Sequence, residues 1–200
     1  DHRQSEHFDK LFATAKLWGY DSVVLKHIGF GTVMGDDGKP FKTRSGDTVG
    51  LQGLLDDAVA KAYDVVCEID EKKPQGPQLS FNERKQVAWV IGHSAIKYAD
   101  LSQNRESDYV FRFDKMIALK GNSATYMQFA HARVTSIFAK GNINIAAVRA
   151  SNAKILLHEP AERQLGLKLL RFSEVLAEAM SDYRPNLITD YLFDLAESYN

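Results

Sequence analysis

The residues best suited to chemistry in this chain of 200 residues lie in one short run, the basic loop at residues 35–46. It contains three cations (Lys39, Lys42 and Arg44), two hydroxyl side chains and three glycines. Flexible backbone, exposed amides and cations suit a polyphosphate, because they neutralise its charge without bulky side chains in the way. The loop lacks the Gly-Lys-Ser/Thr sequence of a P-loop. A phosphate-binding loop and an ordinary basic surface hairpin therefore both remain open.

The other groups capable of catalysis are scattered along the chain. Six histidines, at positions 2, 7, 27, 93, 131 and 158, include no pair at the H-E-x-x-H spacing of a zinc site. His93 falls among apolar residues, which favours a packed structural histidine over a ligand. Cys67 is the single cysteine and lies on an apolar stripe, so it is interpreted as a small core residue. The sequence therefore predicts no metal site and, since no internal disulfide is possible, a reducing, cytoplasmic setting.

The elements that must position the basic loop change character near residue 48. Before it, apolar residues at helical spacing predict a helix ending at Gly19, and β-rich residues at 22–25 and 32–34 predict strands. The Asp-Gly turn at residues 35–38 predicts a hairpin, with the chain resuming at Phe41. This helix–strand–hairpin order fits the tail of an α/β domain.

From Thr48 the pattern is mainly helical. Apolar spacing predicts one helix up to a Pro-rich break at 72–77, and Ser80 with Glu83 forms a capping box that opens the next helix. Residues 101–121 are less regular, and later helices are predicted over about 122–139, 160–182 and from Pro185 to the end. The α/β piece therefore gives way to a helical piece near 72–80 or between 100 and 107.

The charge of the chain is unevenly distributed, although the net charge is only −1. Residues 101–154, the basic stretch, hold eight Lys and Arg against three Asp and Glu. Such a stretch is either a polyanion-binding surface or an ordinary solvated face. The composition, 44% hydrophobic and 26% charged, excludes a collagen-like or low-complexity chain. No apolar run approaches the roughly 20 residues that a membrane span needs.

At the basic loop the sequence resembles the arginyl-tRNA synthetases, a class I aminoacyl-tRNA synthetase family. The similar segments follow the family order at 30–31, 35–46, 54–58, 95–102, 107–116, 121–130 and 191–196. The resemblance implies a mixed fold. Residues 1–102 would form the C-terminal part of a Rossmann-like α/β catalytic domain, with the KMSKS-like loop and connecting helices, and residues 103–200 an all-α anticodon-binding helical bundle. The family's upstream half, with its HIGH signature, is expected to precede Asp1, so the chain is expected to be an internal fragment.

The resemblance also assigns roles to individual residues. Gln4 and His7 match residues of the arginine pocket, and His27, Phe30 and Gly31 match the segment beside the ATP adenosine. The residues that match the KMSKS loop, which steadies the triphosphate, are Phe41, Lys42, Thr43, Arg44 and Ser45. Because threonine stands where the second KMSKS lysine is expected, the resemblance leaves open whether Lys42 or Arg44 contacts phosphate.

The resemblance implies that the basic stretch binds the phosphates of tRNA. The cations expected to bind them are Arg105, Arg112, Arg133 and Lys140. Arg133 shares a helix face with Tyr126 and Phe129. That spacing fits an arginine that contacts phosphate, and equally one that closes a buried face with its head in water.

The activity implied by the resemblance is arginine–tRNA ligation. Arginine's carboxylate would attack the ATP α-phosphorus and release pyrophosphate. The arginyl group of the resulting adenylate would then be transferred to the 3′ end of tRNA(Arg). The expected partners are arginine, tRNA(Arg) and ATP with Mg²⁺ as substrate, with no tightly bound cofactor, no membrane or DNA partner and a monomeric parent. The fragment alone is expected to be inactive. The alternatives are a non-catalytic tRNA- or RNA-binding protein from the same family and an unrelated helical module, which would leave the ordered matches unexplained.

Overall fold

A computed structural model of the chain describes residues 2–35, 37–39, 50–110, 112–118 and 120–200. Two compact units are present. The first is drawn from Asp1–Val49 and Gln103–Arg112, and the second from Gly50–Ser102 and Phe113–Asn200. The N-terminal unit therefore includes a segment that is distant in the sequence.

The first unit begins with a 3₁₀ turn, His2–Gln4, that leads directly into helix α1, Ser5–Leu17. The predicted first helix is thus confirmed. Gly19, just past its end, has a φ of +89°, which glycine adopts without a steric penalty. Strand β1, Val33–Met34, pairs in parallel with strand β2, Tyr109–Val110, with Val33 opposite Tyr109.

Two strand predictions for this unit have different outcomes. The predicted strand at 22–25 is wrong, because this segment has no strand partner among the described residues and leaves Val24 90% exposed. The turn at 35–38 is present, since the Gly38 N–H donates to the Gly35 carbonyl at 3.0 Å. The second strand of the predicted hairpin, resuming at Phe41, lies outside the described residues. Where the structure is described, β1 pairs with β2.

The second unit is built on two long helices, α2 (Leu51–Glu71) and α3 (Phe81–Leu101), that pack against each other. Their contact is a seam of small residues, with Ala58, Ala62 and Ala88 fully buried. At Gly92, an added Cβ would lie 2.7 Å from the backbone nitrogen of Val59. Small side chains thus allow the two backbones to approach closely.

The start of α3 forms as its sequence predicts. The Ser80 N–H donates to Glu83 Oε2 at 2.8 Å, and the Glu83 N–H donates back to Ser80 Oγ at 3.3 Å. This reciprocal pair satisfies two backbone amides that the first turn of a helix leaves unpaired. The predicted capping box is therefore confirmed.

The rest of the second unit is helical. The elements after β2 are α4 (Phe113–Met116), α5 (Ala124–Lys140), α6 (Ile145–Ala150), α7 (Pro160–Leu170), α8 (Phe172–Asp182) and α9 (Pro185–Tyr199). Helix α3 packs against α4, α5 and α9, and α9 in turn contacts α5, α7 and α8. None of the helices in the described ranges combines the length and apolar character that crossing a membrane requires.

One predicted helix, residues 160–182, is in fact two, because the chain bends at Arg171. There the backbone N–H is shared between the carbonyls of Leu167 and Lys168 at 3.3 and 3.1 Å. A straight helix over this range would run roughly 35 Å, whereas α9 is roughly 22 Å long. The bend lets both halves, α7 and α8, pack against α9. The short helix α6, capped by Asn144, was not predicted.

Candidate functional site

The N-terminus of α1 presents the two residues expected to bind arginine. Gln4 is the N-cap of α1, but its side chain makes no capping hydrogen bond. His7 stands three residues later, on the same side of the helix start. Both side chains are exposed. Gln4 and His7 therefore reach solvent together, with the amide group of Gln4 not used by the helix cap.

An aromatic stack joins α1 to the segment expected to lie beside ATP. The ring of Phe8 stacks on that of His27 with centroids 4.6 Å apart and planes 14° from parallel. The ring of His7 meets the ring of Phe8 edge-on, with centroids 5.6 Å apart. The structure thus brings His7 and His27, predicted from separate segments, to the same aromatic residue.

A hydrogen-bonded clamp fixes the backbone of residues 29–32. Arg105 Nη1 donates to the Gly29 carbonyl at 2.7 Å, and the Gly31 N–H donates to the Arg105 carbonyl at 2.7 Å. The Thr32 N–H donates to Asp108 Oδ1 at 2.6 Å. The Arg105–Gly29 and Asp108–Thr32 contacts each join residues that are 76 positions apart in the sequence. No local spacing pattern could therefore have identified Asp108 as a partner.

Two neighbouring residues of this strip, Phe30 and Gly31, differ in their surroundings. Gly31 has no room for a side chain, because an added Cβ would lie 2.8 Å from the backbone nitrogen of Asp108 and closer still to the Ser107 carbonyl. The neighbouring Phe30 is 55% exposed. The clamp therefore holds a fixed strip of backbone with an aromatic ring open to solvent.

The KMSKS-like residues Phe41, Lys42, Thr43, Arg44 and Ser45 lie outside the described residues. Lys39, earlier in the basic loop, is exposed, and its carbonyl accepts the Gly35 N–H at 2.7 Å. The expected phosphate contacts of the loop remain predictions.

The four cations expected to bind tRNA differ in their surroundings. Arg105 is half-buried and engaged with Gly29 in the first unit. Arg112, after β2, is exposed, and so is Lys140 in the last turn of α5. Arg133 is exposed on α5, where its Nη1 donates to Asn200 Oδ1 at 3.0 Å.

The helix face shared by Tyr126, Phe129 and Arg133 is partly buried. Tyr126 packs against Phe193, with ring centroids 5.5 Å apart, and its hydroxyl accepts from Asn200 Nδ2 at 3.0 Å. Phe129, by contrast, is 53% exposed. Arg133 therefore lies at the rim of a packed aromatic pair with its guanidinium in solvent.

A buried carboxylate that was not predicted ties α2 to α3. Asp70 is 1% exposed and accepts from Lys73 Nζ at 2.8 Å and Arg84 Nη2 at 2.9 Å. It also accepts the N–H groups of Gln78 and Leu79 at 3.0 and 3.1 Å. The hydrogen bond from Lys73, followed by that from the Gln78 amide, holds the pKa of Asp70 well below its usual range. Since every polar contact here is internal, this ion cluster stabilises the α2–α3 turn.

A second unpredicted cluster, the Asn122 junction, consists of Tyr98, Asn122, Thr189 and Asp190. The Tyr98 hydroxyl donates to Asn122 Oδ1 at 2.6 Å and lies 3.3 Å from the Thr189 carbonyl. Asn122 Nδ2 donates to Asp190 Oδ1 at 3.3 Å. Burial, with the charge of Asp190, raises the pKa of Tyr98 to about 12. The available signal was that Tyr98 and Asn122 each fall in a segment that carries the family resemblance.

Within the described ranges, no group of three or more His, Cys, Asp or Glu side chains could hold a metal ion.

Comparison with protein families gives two matches that follow one another along the chain. Residues 1–113 match the catalytic domain of class I tRNA synthetases (R), and residues 127–200 match the DALR anticodon binding domain. The mixed fold expected from the resemblance, a partial class I catalytic domain followed by a helical anticodon-binding domain, is thereby confirmed.

Individual relatives agree with the family matches. The chain is 47% identical to the arginine–tRNA ligase of Laribacter hongkongensis and 44% identical to that of Rhodopirellula baltica, in each case over all of this chain. It spans 33% and 31% of those proteins, about a third of their length.

Solved structures give the same result. The arginyl-tRNA synthetase of Plasmodium falciparum aligns over all of this chain and 32% of its own, with a TM-score of 0.72 and 27% identity. The Thermus thermophilus enzyme aligns over 87% of this chain and 26% of its own, with a TM-score of 0.67 and 26% identity. Because the class I catalytic match alone covers residues 1–113, more than half of the sequence, this chain belongs to the class I arginyl-tRNA synthetase family.

Proposed function

We propose that this chain is a segment of an arginine–tRNA ligase. Such an enzyme forms arginyl-adenylate from arginine and ATP with release of pyrophosphate, and then transfers the arginyl group to the 3′ end of tRNA(Arg) with release of AMP. The observation that carries the proposal is the contact of both His7 and His27 with the Phe8 ring, in the unit that also holds Gln4 and the clamped backbone of residues 29–32. Residues matched to two substrates of one reaction thus belong to one compact unit.

The arginine end of the site uses Gln4 and His7. The Gln4 amide can accept from a guanidinium or donate to a carboxylate, and its side chain is not needed to cap α1. His7 is exposed beside it and touches the aromatic stack through Phe8. Both groups bind and orient arginine, so that its carboxylate meets the α-phosphorus. Orientation of this kind is a large part of catalysis in group transfer.

The nucleotide end uses His27, Phe30 and Gly31. The lack of a side chain at Gly31 lets the backbone of Ser107 and Asp108 pack directly against this strip, and the exposed Phe30 ring offers the adenosine an apolar surface. The Arg105 hydrogen bond to Gly29 keeps this strip in place before ATP arrives. A preorganised surface loses less conformational entropy on binding than a mobile one.

The basic loop supplies charge to the phosphates. Lys42 or Arg44 steadies the triphosphate as pyrophosphate leaves, together with the Mg²⁺ that accompanies ATP as substrate. Stabilising negative charge on phosphate oxygens needs cations and amides at fixed positions and no side-chain acid or base. This requirement agrees with a sequence in which the other groups capable of catalysis are scattered along the chain.

Contacts with tRNA phosphates are assigned to Arg105, Arg112, Arg133 and Lys140. The domains are assigned to residues 1–102 and 103–200. The anticodon-binding match at 127–200 supports the placement of Arg133 and Lys140. Their exposure on α5 supports it further. The parent protein is proposed to act as a cytoplasmic monomer.

The experiment that tests the function is ATP–pyrophosphate exchange by the full-length protein that contains this chain, with tRNA present and each amino acid in turn. The expected result is exchange that depends on arginine, with lysine giving less than a hundredth of the rate. The isolated 200-residue chain is expected to give none. Binding of tRNA by the full-length protein without any exchange would instead support the non-catalytic tRNA-binding alternative.

A further inference from the structure

The Asn122 junction connects residues from the two family matches. Tyr98 lies within residues 1–113, the catalytic match, and Asp190 lies within residues 127–200, the anticodon-binding match. Asn122 falls between the two ranges and touches both partners. All three residues belong to the second compact unit. The Asn122 side-chain amide is therefore a direct polar link between α3 and α9.

The chemistry of the link requires an amide. Asn122 Oδ1 accepts from the Tyr98 hydroxyl at 2.6 Å, while Nδ2 donates to Asp190 Oδ1 at 3.3 Å. A carboxylate at this position could accept from the phenol but would repel Asp190, and an alkyl group would satisfy neither neighbour. Both ends of the Asn122 side chain are thus used, which fixes its orientation.

Asn122 also precedes the cap of α5. The next residue, Ser123, is buried, and its hydroxyl donates to the Ala118 carbonyl at 2.6 Å. The same oxygen accepts the Tyr126 N–H at 3.2 Å, which satisfies one free amide of the first turn of the helix. The junction and the cap together hold the N-terminus of α5, and α5 carries Arg133 and Lys140.

We propose that Asn122 is a positioning residue for tRNA binding, which holds α5 against α3 and α9 so that the cations of α5 face tRNA. The inference rests on the proposed function, because it takes tRNA as the ligand of that face. Asn122 does not itself contact tRNA in this account. It acts through the orientation of α5.

The charged surroundings of the junction come from α3 and α9. Burial raises the pKa of Asp190, the hydrogen bond from Asn122 lowers it, and the charge of Asp194 raises it again. A hydrogen bond from Asn186 also lowers it. On the α3 side, the Tyr98 phenol stays protonated at neutral pH and donates. Loss of the Asn122 amide therefore removes the 2.6 Å contact of the half-buried Tyr98 phenol and one of the two amide hydrogen bonds to the exposed Asp190.

The test uses three variants of the full-length protein: Asn122→Ala, Asn122→Asp and the swap Asn122→Asp with Asp190→Asn. In the swap, the carboxylate at 122 accepts from Tyr98, as the wild-type amide oxygen does, and also accepts from the new amide at 190. Both hydrogen bonds are thus restored, and only the bond between positions 122 and 190 is reversed in direction. The exposed Asn82 of α3 provides a matched control as Asn82→Ala. The readouts are the KM for tRNA in arginine charging and the KM for arginine and ATP at saturating tRNA.

The expected result is a KM for tRNA raised roughly 3- to 30-fold in Asn122→Ala, the range found when residues act on binding through a neighbour. Asn122→Asp is expected to be at least as impaired, and the swap to return within about threefold of the wild type. The KM values for arginine and ATP stay unchanged. A swap as impaired as Asn122→Asp, or a loss of kcat and Tm with an unchanged KM for tRNA, would overturn the proposal.

Failure of the proposed function gives a different pattern. If the wild-type protein charges no tRNA with arginine, the function itself is wrong. If the wild type charges tRNA normally and Asn122→Ala binds it equally well, only the positioning role is wrong.

Discussion

Arg105 and Gly29 are joined by a 2.7 Å hydrogen bond from Nη1 to the carbonyl oxygen, although 76 residues separate them in the sequence. The neighbouring Gly31 N–H donates to the backbone carbonyl of the same arginine at 2.7 Å. One residue from the basic stretch therefore fixes the backbone that is proposed to receive ATP.

This clamp predicts the effect of a methyl group at Gly31. Gly31→Ala places a Cβ 2.8 Å from the Asp108 nitrogen and closer to the Ser107 carbonyl, and backbone atoms cannot move aside cheaply. Overpacking of this kind costs about 1–3 kcal/mol. We expect the KM for ATP to rise roughly 5- to 150-fold, which is that cost expressed as a change in affinity. The control, Gly50→Ala, meets nothing within 4 Å. Equal KM values for the two variants would contradict the close approach at Gly31.

Gln4 predicts a selective loss of arginine binding. Gln4→Ala removes an amide that is proposed to bind the amino acid, and a hydrogen bond to a charged group is worth about 1.5–3 kcal/mol. The KM for arginine should rise roughly 10- to 150-fold in the full-length protein, with a much smaller effect on the KM for ATP. Because the side chain makes no cap bond, Tm should not change. Gln103→Ala, at an exposed glutamine of the same unit, is the control. Equal damage to both substrates would assign Gln4 a structural role.

The parts of the fold that could be predicted from the sequence depend on neighbouring residues, whereas the parts that could not depend on tertiary contacts. The capping box of Ser80 and Glu83 could be predicted because both partners lie within four residues. The pairing of β1 with β2 could not, because it joins Val33 to Tyr109 and depends on tertiary contacts. The bend at Arg171 follows from packing of α7 and α8 on α9, and residues 160–182 read alone as one helix.

The candidate site shows the same division. Gln4, His7 and His27 were identified by family resemblance, since no spacing links residue 7 to residue 27. The Phe8–His27 stack and the Arg105–Gly29 bond required the coordinates. Asp70 was missed because an acidic residue at the end of an apolar stripe usually faces solvent, whereas here it lies buried between two cations.

Arg133 predicts a change in the salt dependence of tRNA binding. Its guanidinium is exposed, and the bond to Asn200 leaves other donors for a phosphate. Arg133→Gln in the full-length protein should weaken tRNA binding and reduce the slope of log affinity against log salt by somewhat less than about one unit. Arg171→Gln, at an exposed arginine outside the basic stretch, should leave the slope unchanged. A lower Tm with an unaltered slope would place Arg133 in the packed face with Tyr126.

Asp70 predicts how stability depends on pH. Its folded pKa is lowered from an unfolded value of about 3.9, so its contribution is present above about pH 4 and is lost as the pH falls towards the folded pKa. Asp70→Asn should lower Tm on the order of 5 °C at pH 7. The difference from the wild type should narrow as the pH is lowered to about 3.

The control for Asp70 is Glu68→Gln, which removes an exposed surface pair with Lys72. Exposed pairs contribute at most about 1 kcal/mol, so its Tm should change little. If the Tm difference between Asp70→Asn and the wild type were the same at pH 3 and pH 7, the ionised cluster would not be what stabilises the α2–α3 turn.

The most direct test of the proposed function is charging of tRNA with labelled arginine by the full-length protein. The account predicts acid-precipitable label that requires ATP and arginine-specific tRNA. Periodate treatment of the tRNA, which destroys the terminal ribose diol that accepts arginine, should abolish it. Stable binding of that tRNA without any label transferred, or label transferred equally from another amino acid, would contradict the account.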